Sequence, residues 1–237
     1  YKRQDDNPPP PVKGGRNILV IISDDLGADS AACYGDAGAF AATPNIESLC
    51  ERGVGFRNVW ANPLCSPTRA SMLTGRYGFR TGVTHLANNN GGGLPNAEFT
   101  IPEALDANPD LGYSHACIGK WHLGMTMTRR EGGKPGKDRW DGDGNVDFTK
   151  PIADSPITRG FHEYFGVSAS LDMAPYVWIE NDRFVKAKLV QQPAVEVPGY
   201  VRQGPRAADL QFEEGLDVLA KRSADFLKRI ARQDKPF

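Results

Sequence analysis

The sequence predicts an α/β fold with a mostly parallel central sheet flanked by helices. Three observations carry this expectation. Asn17 to Ser23, NILVIIS, is a continuous β-branched apolar run of the kind that suits a strand buried on both faces. Helix-start signals, in which a hydroxyl residue precedes proline within a turn, recur at Thr43-Pro44, Ser66-Pro67 and Thr100-Ile101-Pro102. Extended apolar segments alternate with these starts, and strand, helix, strand, helix is the rhythm of parallel βα units.

Taken in order, residues 1–16 are polar and proline-rich and read as an N-terminal arm, with a single domain from 17 to 237. The first strand stops at Asp24-Asp25-Leu26-Gly27. Thr43 then caps a helix in which Ile46 and Leu49 fall three apart and which Gly53 ends, and Val54 to Trp60 alternates like a strand. Ser66-Pro67 opens a short helix, with Ala70, Met72 and Leu73, that stops at Gly75. ANNNGGGLPN, 87–96, is a loop by composition. Thr100 and Glu103 have capping-box spacing, and Tyr113 to Gly119 reads as the next strand. Residues 126–156, rich in Gly, Pro and charge, predict a long loop excursion. Phe212, Leu216, Leu219, Phe226, Leu227 and Ile230 trace the apolar face of a long helix, and DKPF, 234–237, leads into a further strand.

With 237 residues, 40% of them apolar, the chain can bury a sizeable core. Its 28 basic and 29 acidic residues leave a net charge of −1, which gives no electrostatic footprint for nucleic acid or a membrane surface. No apolar run approaches the roughly 20 residues of a membrane span, and the polar start is not a signal peptide, although a cleaved leader would leave such an end. Cys33, Cys50, Cys65 and Cys117 are too few for a disulfide scaffold and match no zinc spacing, so the redox compartment stays open.

Three segments can carry chemistry. Asp24-Asp25 follows the first buried strand, where open α/β sheets place ligands; two adjacent carboxylates suit a hard divalent cation or form a solvated turn. In CSPTR, Cys65 stands at the start of a helix, where the dipole favours an anion, and Arg69 lies one turn in. That arrangement suits an activated thiol, although an inert core cysteine fits the same position. In GKWHLG, 119–124, Lys120 and His122 are two apart and share a side if extended geometry persists, which suits an anionic substrate and a leaving group needing a proton. An exposed lysine and a capping histidine are the alternative. DRWDGDGNVDFTK, 138–150, imitates a calcium loop, but Arg139 and Lys150 occupy its two anchor positions, so a solvated acidic loop is expected. His85, His115 and His162 stand singly in the sequence and are expected to be structural.

Taken together and in this order, the segments resemble the type I sulfatases of the alkaline-phosphatase-like superfamily. Cys65-Ser66-Pro67-Thr68-Arg69 matches the family's C-x-P-x-R signature and is followed by ASMLTGR, with SDDLG before it and GKWHLG after it. The likeness continues through RGFHEYFGV, 159–167, and the terminal helix. It implies an alkaline-phosphatase-like fold and a sulfuric ester hydrolase whose Cys65 is oxidised to formylglycine by a separate formylglycine-generating enzyme. It further implies calcium on Asp24, Asp25 and the modified Cys65, Arg69 holding the formylglycine, Lys120 on the sulfate or leaving oxygen, and His122 as the proton acceptor. Sulfatases of this kind are exported, to periplasm, extracellular space or lysosome.

SASLDMAPYVWIEND, 168–182, resembles a stretch of the arylsulfatase A and N-acetylgalactosamine-6-sulfatase group, which implies a sulfated glycan or other sulfated small molecule and makes Asp172 a candidate for a sugar hydroxyl or a plain turn residue. The family's second metal pair, second His and second Lys have no counterpart here. Residues 17–237 are therefore expected to be the N-terminal portion of the catalytic domain, with the C-terminal part missing and required as a partner segment. Two alternatives stay open: a phosphonate or phosphate monoester hydrolase of the same superfamily, and a non-catalytic fragment that binds sulfated glycans.

Overall fold

The computed structural model describes residues 15–34, 42–130, 145–196, 199–233 and 235–237. Its helices are α1 (Pro44–Arg52), α2 (Cys65–Thr74), α3 (Gly78–Thr81), α4 (Ile101–Asp106) and α5 (Gly215–Ile230). Its strands are β1 (Ala116–Lys120), β2 (Thr126–Met127), β3 (Ile152–Asp154), β4 (Glu163–Val167), β5 (Ile179–Glu180), β6 (Arg183–Phe184), β7 (Leu189–Gln192) and β8 (Gly204–Ala207). Helices and mixed sheets together give the α/β class. The chain forms two compact units, Leu19–Pro63 and the remainder from Leu64 onward together with the described residues up to Ile18.

The larger unit is organised by a four-stranded sheet of order β1-β4-β5-β6. β1 and β4 run parallel, from Ala116 opposite Glu163 to Lys120 opposite Val167, whereas β4–β5 and β5–β6 are antiparallel. The parallel pair is the expected βα feature, and the antiparallel extension arises because Asn181 and Asp182 turn the chain directly back on itself, Asn181 in the left-handed region at φ 57°. Gly166 lets the parallel strands close up, since a Cβ there would run into the carbonyl of Gly119. Two short ribbons, β2–β3 and β7–β8, complete the strands. β2 and β3 lie at the two ends of the 126–156 excursion; the calcium-like stretch lies mostly outside the described residues, and Asp147 within it accepts from Thr149 N and Oγ1.

The main core gathers Ala70, Trp121, Leu123, Met125, Tyr164 and Ile179 with their neighbours. Ala70 is fully buried, and through it α2 docks on the end of the sheet. Arg159, 3% exposed, reaches the carbonyl of Leu94, Asn96 Oδ1 and Asp154 Oδ2 and so ties the 94–96 loop to β3. The Thr100–Glu103 capping box forms as its spacing predicts, with Thr100 N donating to Glu103 Oε2 at 2.8 Å. Near the last residues, Ser114 N donates to Pro236 O and Ile18 N to Phe237 O, at 2.9 and 2.6 Å.

In the smaller unit the structure departs from expectation. Leu19 to Ile22 takes no place in a ladder, and these residues are 44–75% exposed. Val54 to Trp60 is likewise unpaired, with Trp60 92% exposed. A run that is apolar on both faces becomes a buried strand only when strands flank it, and among the described residues none does. A disulfide joins Cys33 and Cys50, tying the turn at 32–34 to α1. Their separation of 17 residues gave no sequence signal for it.

Candidate active site

Cys65 opens α2 as its first residue, after Leu64, which adopts extended geometry and provides no side-chain cap. Ser66 is therefore not the cap that the Ser-Pro pairing predicts. Its hydroxyl, completely buried, instead donates to the carbonyl of His122 at 2.6 Å and accepts from Ala87 N at 2.9 Å. The cap signal and the role differ because Pro67 sits in the first turn, where its missing N–H costs nothing, and the helix starts two residues earlier than a Ser66 cap would set it.

Lys120 is the last residue of β1, and its Nζ lies 3.2 Å from Cys65 Sγ. Arg69, one turn along α2, donates from Nη1 to the carbonyl of Lys120 at 2.6 Å. Two residues of the signature, Ser66 and Arg69, thus grip the backbone of the GKWHLG segment while Lys120 meets Cys65. Beyond β1 the register with β4 persists for two more bonds, Trp121 N to Val167 O and His122 N to Ser168 O. His122 then turns into the left-handed region at φ 56°, so extended geometry does not carry through from Lys120. A non-glycine residue held there costs on the order of 1 kcal/mol or more, which the bonds on either side of it offset. The His122 ring is buried, 1% exposed.

Lys120 and Arg69 gather two cationic groups beside the start of a helix in a chain whose net charge is near zero. The neighbouring Cys117 has a different character. Desolvation pushes its thiol up to about 12, against the opposing pull of Arg69, so it stays protonated and inert. Tyr164, whose hydroxyl donates to Val167 O at 2.8 Å, is raised well above its usual range by burial.

Asp24 and Asp25 belong to the smaller unit and are exposed at a bend, with Asp25 at φ 55°. The left-handed turn breaks the strand alternation that would point neighbouring carboxylates apart, and an all-oxygen donor pair suits a hard cation such as calcium. Asp172 is committed elsewhere: its carboxylate pairs with Arg202 Nη1, and its carbonyl accepts from Arg202 N at 3.0 Å. The histidines expected to stand singly do not all do so. His115 and His162 lie against each other, their rings tilted by 33° with centroids 4.4 Å apart, with Asp106 beside them. The signal was the placement of each residue immediately before a strand, legible only once β1 and β4 are known to be parallel neighbours.

Fold and site together define an α/β protein built around a cysteine at a helix start and a lysine at a strand end. A sequence profile of the sulfatase family matches residues 16–237, and the chain belongs to that family. It is 36% identical to human steryl-sulfatase over 160 residues, covering 64% of this chain and 23% of that protein. It is 32% identical to human arylsulfatase A over 235 residues, covering 93% and 39%. Rat N-acetylgalactosamine-6-sulfatase is 37% identical over 142 residues, covering 56% and 26%. The chain thus spans well under half the length of these relatives. Among solved structures, one from work on the metabolism of multiple glycosaminoglycans by Bacteroides thetaiotaomicron superposes with a TM-score of 0.72 at 24% identity, covering 95% of this chain and 50% of that one. The PsFucS1 sulfatase from Pseudoalteromonas sp. gives 0.63 at 21%, covering 94% and 42%, and both share the fold.

Proposed function

We propose that this chain carries the nucleophile end of a sulfuric ester hydrolase acting on an organic, carbohydrate-type sulfate ester. The observation that carries the reading is the 3.2 Å approach of Lys120 Nζ to Cys65 Sγ at the start of α2, inside a matching family signature. In this reading Cys65 is matured to formylglycine by a formylglycine-generating enzyme, and Asp24, Asp25 and residue 65 bind calcium. A hydrated aldehyde at residue 65 would supply two hydroxyls on one carbon: one to attack sulfur as the ester S–O bond breaks and the alcohol leaves, the other to lose its proton as sulfate is expelled and the aldehyde restored. Calcium held by Asp24, Asp25 and residue 65 would supply a Lewis acid toward the sulfate. Lys120 neutralises charge on the sulfate or on the leaving oxygen, and Arg69 supports the charge near residue 65 while fixing the Lys120 backbone. His122 receives the proton whose loss releases sulfate.

The glycan preference rests on the N-acetylgalactosamine-6-sulfatase relative and on the glycosaminoglycan setting of the structural neighbour. Asp172, the candidate for a sugar hydroxyl, already pairs through its carboxylate with Arg202. The Cys33–Cys50 disulfide supports an exported, oxidising location, and no helix among the described residues is long and apolar enough to cross a membrane. The test is peptide mass spectrometry at Cys65 on the full-length protein matured in a competent host, combined with turnover of aryl sulfate and aryl phosphate in the presence of calcium. An aldehyde at position 65 with sulfate release and little phosphate release is expected. An unmodified thiol, or binding of a sulfated sugar without sulfate release, defeats the reading.

A further inference from the structure

The two peptide planes that flank Lys120 set the direction in which its side chain leaves β1. The plane after it is held twice, by Arg69 Nη1 on the Lys120 carbonyl at 2.6 Å and by Trp121 N donating to Val167 O at 3.1 Å. The plane before it carries the Gly119 carbonyl. Gly119 sits at φ 124°, a backbone setting that L side chains rarely adopt, so regular strand geometry is interrupted one residue before Lys120.

Tyr164 holds this second plane. From β4, where it pairs with Cys117, its hydroxyl donates to Val167 O at 2.8 Å and to Gly119 O at 3.2 Å. Neither carbonyl can donate, so the one hydroxyl proton is shared between two acceptors, the nearer taking the larger part. Burial raises Tyr164 well above its usual range and keeps that proton in place. Gly166 makes the room, since a Cβ there would collide with Gly119 O and stand 2.9 Å from Tyr164 Oη. Val167 O thus accepts from both Tyr164 Oη and Trp121 N, and a single hydroxyl links the planes on either side of Lys120.

The Tyr164 ring, 1% exposed within the main core, accounts for an aromatic residue at this place but not for a hydroxyl. Phenylalanine would fill nearly the same volume with no polar atom to satisfy. We infer that, on the sulfatase reading of Lys120, Tyr164 is a positioning residue for turnover: its hydroxyl sets the Gly119–Lys120 peptide and, through it, the approach of Lys120 Nζ to residue 65. With both flanking planes fixed, φ and ψ of Lys120 are fixed, and only its side-chain torsions are left to settle when substrate binds. Tyr164 touches neither the acidic pair nor Cys65 in this role.

The test is a double-mutant cycle in the full-length enzyme matured at residue 65, with nitrophenyl sulfate as substrate: wild type, Tyr164→Phe, Lys120→Ala and the two together. Tyr164→Phe keeps the ring, and its circular dichroism is expected to match the wild type. It is expected to lower kcat about tenfold or more with KM held within about twofold. In the Lys120→Ala background the same change is expected to alter kcat less than about twofold, because a residue acting through Lys120 then has nothing left to place. Amide exchange on the thiol form, which needs no turnover, is expected to be faster at Lys120 and Trp121 in Tyr164→Phe and unchanged in α5. Equal losses of kcat in both backgrounds, a kcat that Tyr164→Phe leaves alone, unaltered exchange at Trp121, or an unfolded Tyr164→Phe would each overturn the inference. A wild type that carries the aldehyde yet releases no sulfate defeats the sulfatase reading instead, and the exchange experiment then decides by itself whether the hydroxyl holds the Lys120 backbone.

Discussion

Replacing Ser66 with alanine tests whether the signature positions the site as well as supplying its cysteine. Ser66 is completely buried, and its hydroxyl is held between His122 O at 2.6 Å and Ala87 N at 2.9 Å. Ala87 and His122 are themselves buried, 5% and 1% exposed, so water does not readily replace the lost oxygen. A buried donor or acceptor deprived of its partner costs about 1–3 kcal/mol, and two such groups give a destabilisation of about 2–6 kcal/mol. Chemical denaturation of the wild-type chain and Ser66→Ala measures the total. Amide exchange then locates it, with the Ala87 amide and the 121–123 segment expected to lose protection. Ser66→Thr keeps the hydroxyl and is expected to retain more of that protection than Ser66→Ala. A Ser66→Ala midpoint equivalent to less than about 0.5 kcal/mol of change, with Ala87 exchange unaltered, would refute the assignment of Ser66 as the link between α2 and the GKWHLG segment.

Two further outcomes are expected. Cys117 has its pKa raised from 9.0 to about 12 in the folded chain, so the folded form keeps its proton where the unfolded form loses it. Its contribution is complete below pH 9 and is lost between 9 and about 12, at up to about 1.4 kcal/mol per pH unit. Urea midpoints of the wild-type chain and Cys117→Ala between pH 8 and 10.5 check this, and a wild-type curve that falls no more steeply than the variant's contradicts it. The Cys33–Cys50 bridge closes a 17-residue separation and by loop entropy is worth about 3 kcal/mol to the smaller unit. Reduction or Cys50→Ser is expected to speed proteolysis and amide exchange within α1, and unchanged rates would show that the bridge does not constrain that unit.

Local chemistry explains what the sequence made legible. The Thr100–Glu103 box and the start and stop of α1 depend on interactions within a few residues, and they appear as written. The CSPTR and GKWHLG segments were also legible as a pair, because each contains a chemical type, thiol or cation, that a plain turn does not need. The way the two segments are joined was not. Ser66 to His122 spans 56 residues and Arg69 to Lys120 spans 51, and no local pattern encodes a bond across that distance. The antiparallel return of β5 and β6 was missed for a different reason: two-residue strands are too short for alternation to register. The NILVIIS run illustrates the reverse error. Its composition describes the environment a strand requires, but pairing is a property of neighbours, and among the described residues Leu19 to Ile22 have none in a ladder.

The same contrast explains why the serine in the C-x-P-x-R segment matters physically. A thiol at a helix start and a lysine at a strand end come from independent elements, and by themselves their separation is free to vary by ångströms. Here Ser66 and Arg69 bind the backbone on both sides of Trp121, at His122 O and Lys120 O, so α2 cannot shift along the strand without breaking both bonds. The bonds are to carbonyls, so neither grip uses the side chain of Lys120 or His122. Precision of about half an ångström is what a reacting constellation needs, and it is obtained by gripping main chain on a rigid element instead of relying on a flexible lysine to find its partner. Loss of either grip should therefore move Lys120 relative to Cys65 and lower turnover more than it changes substrate affinity, a division that kcat and KM of the full-length enzyme carrying Ser66→Ala would measure.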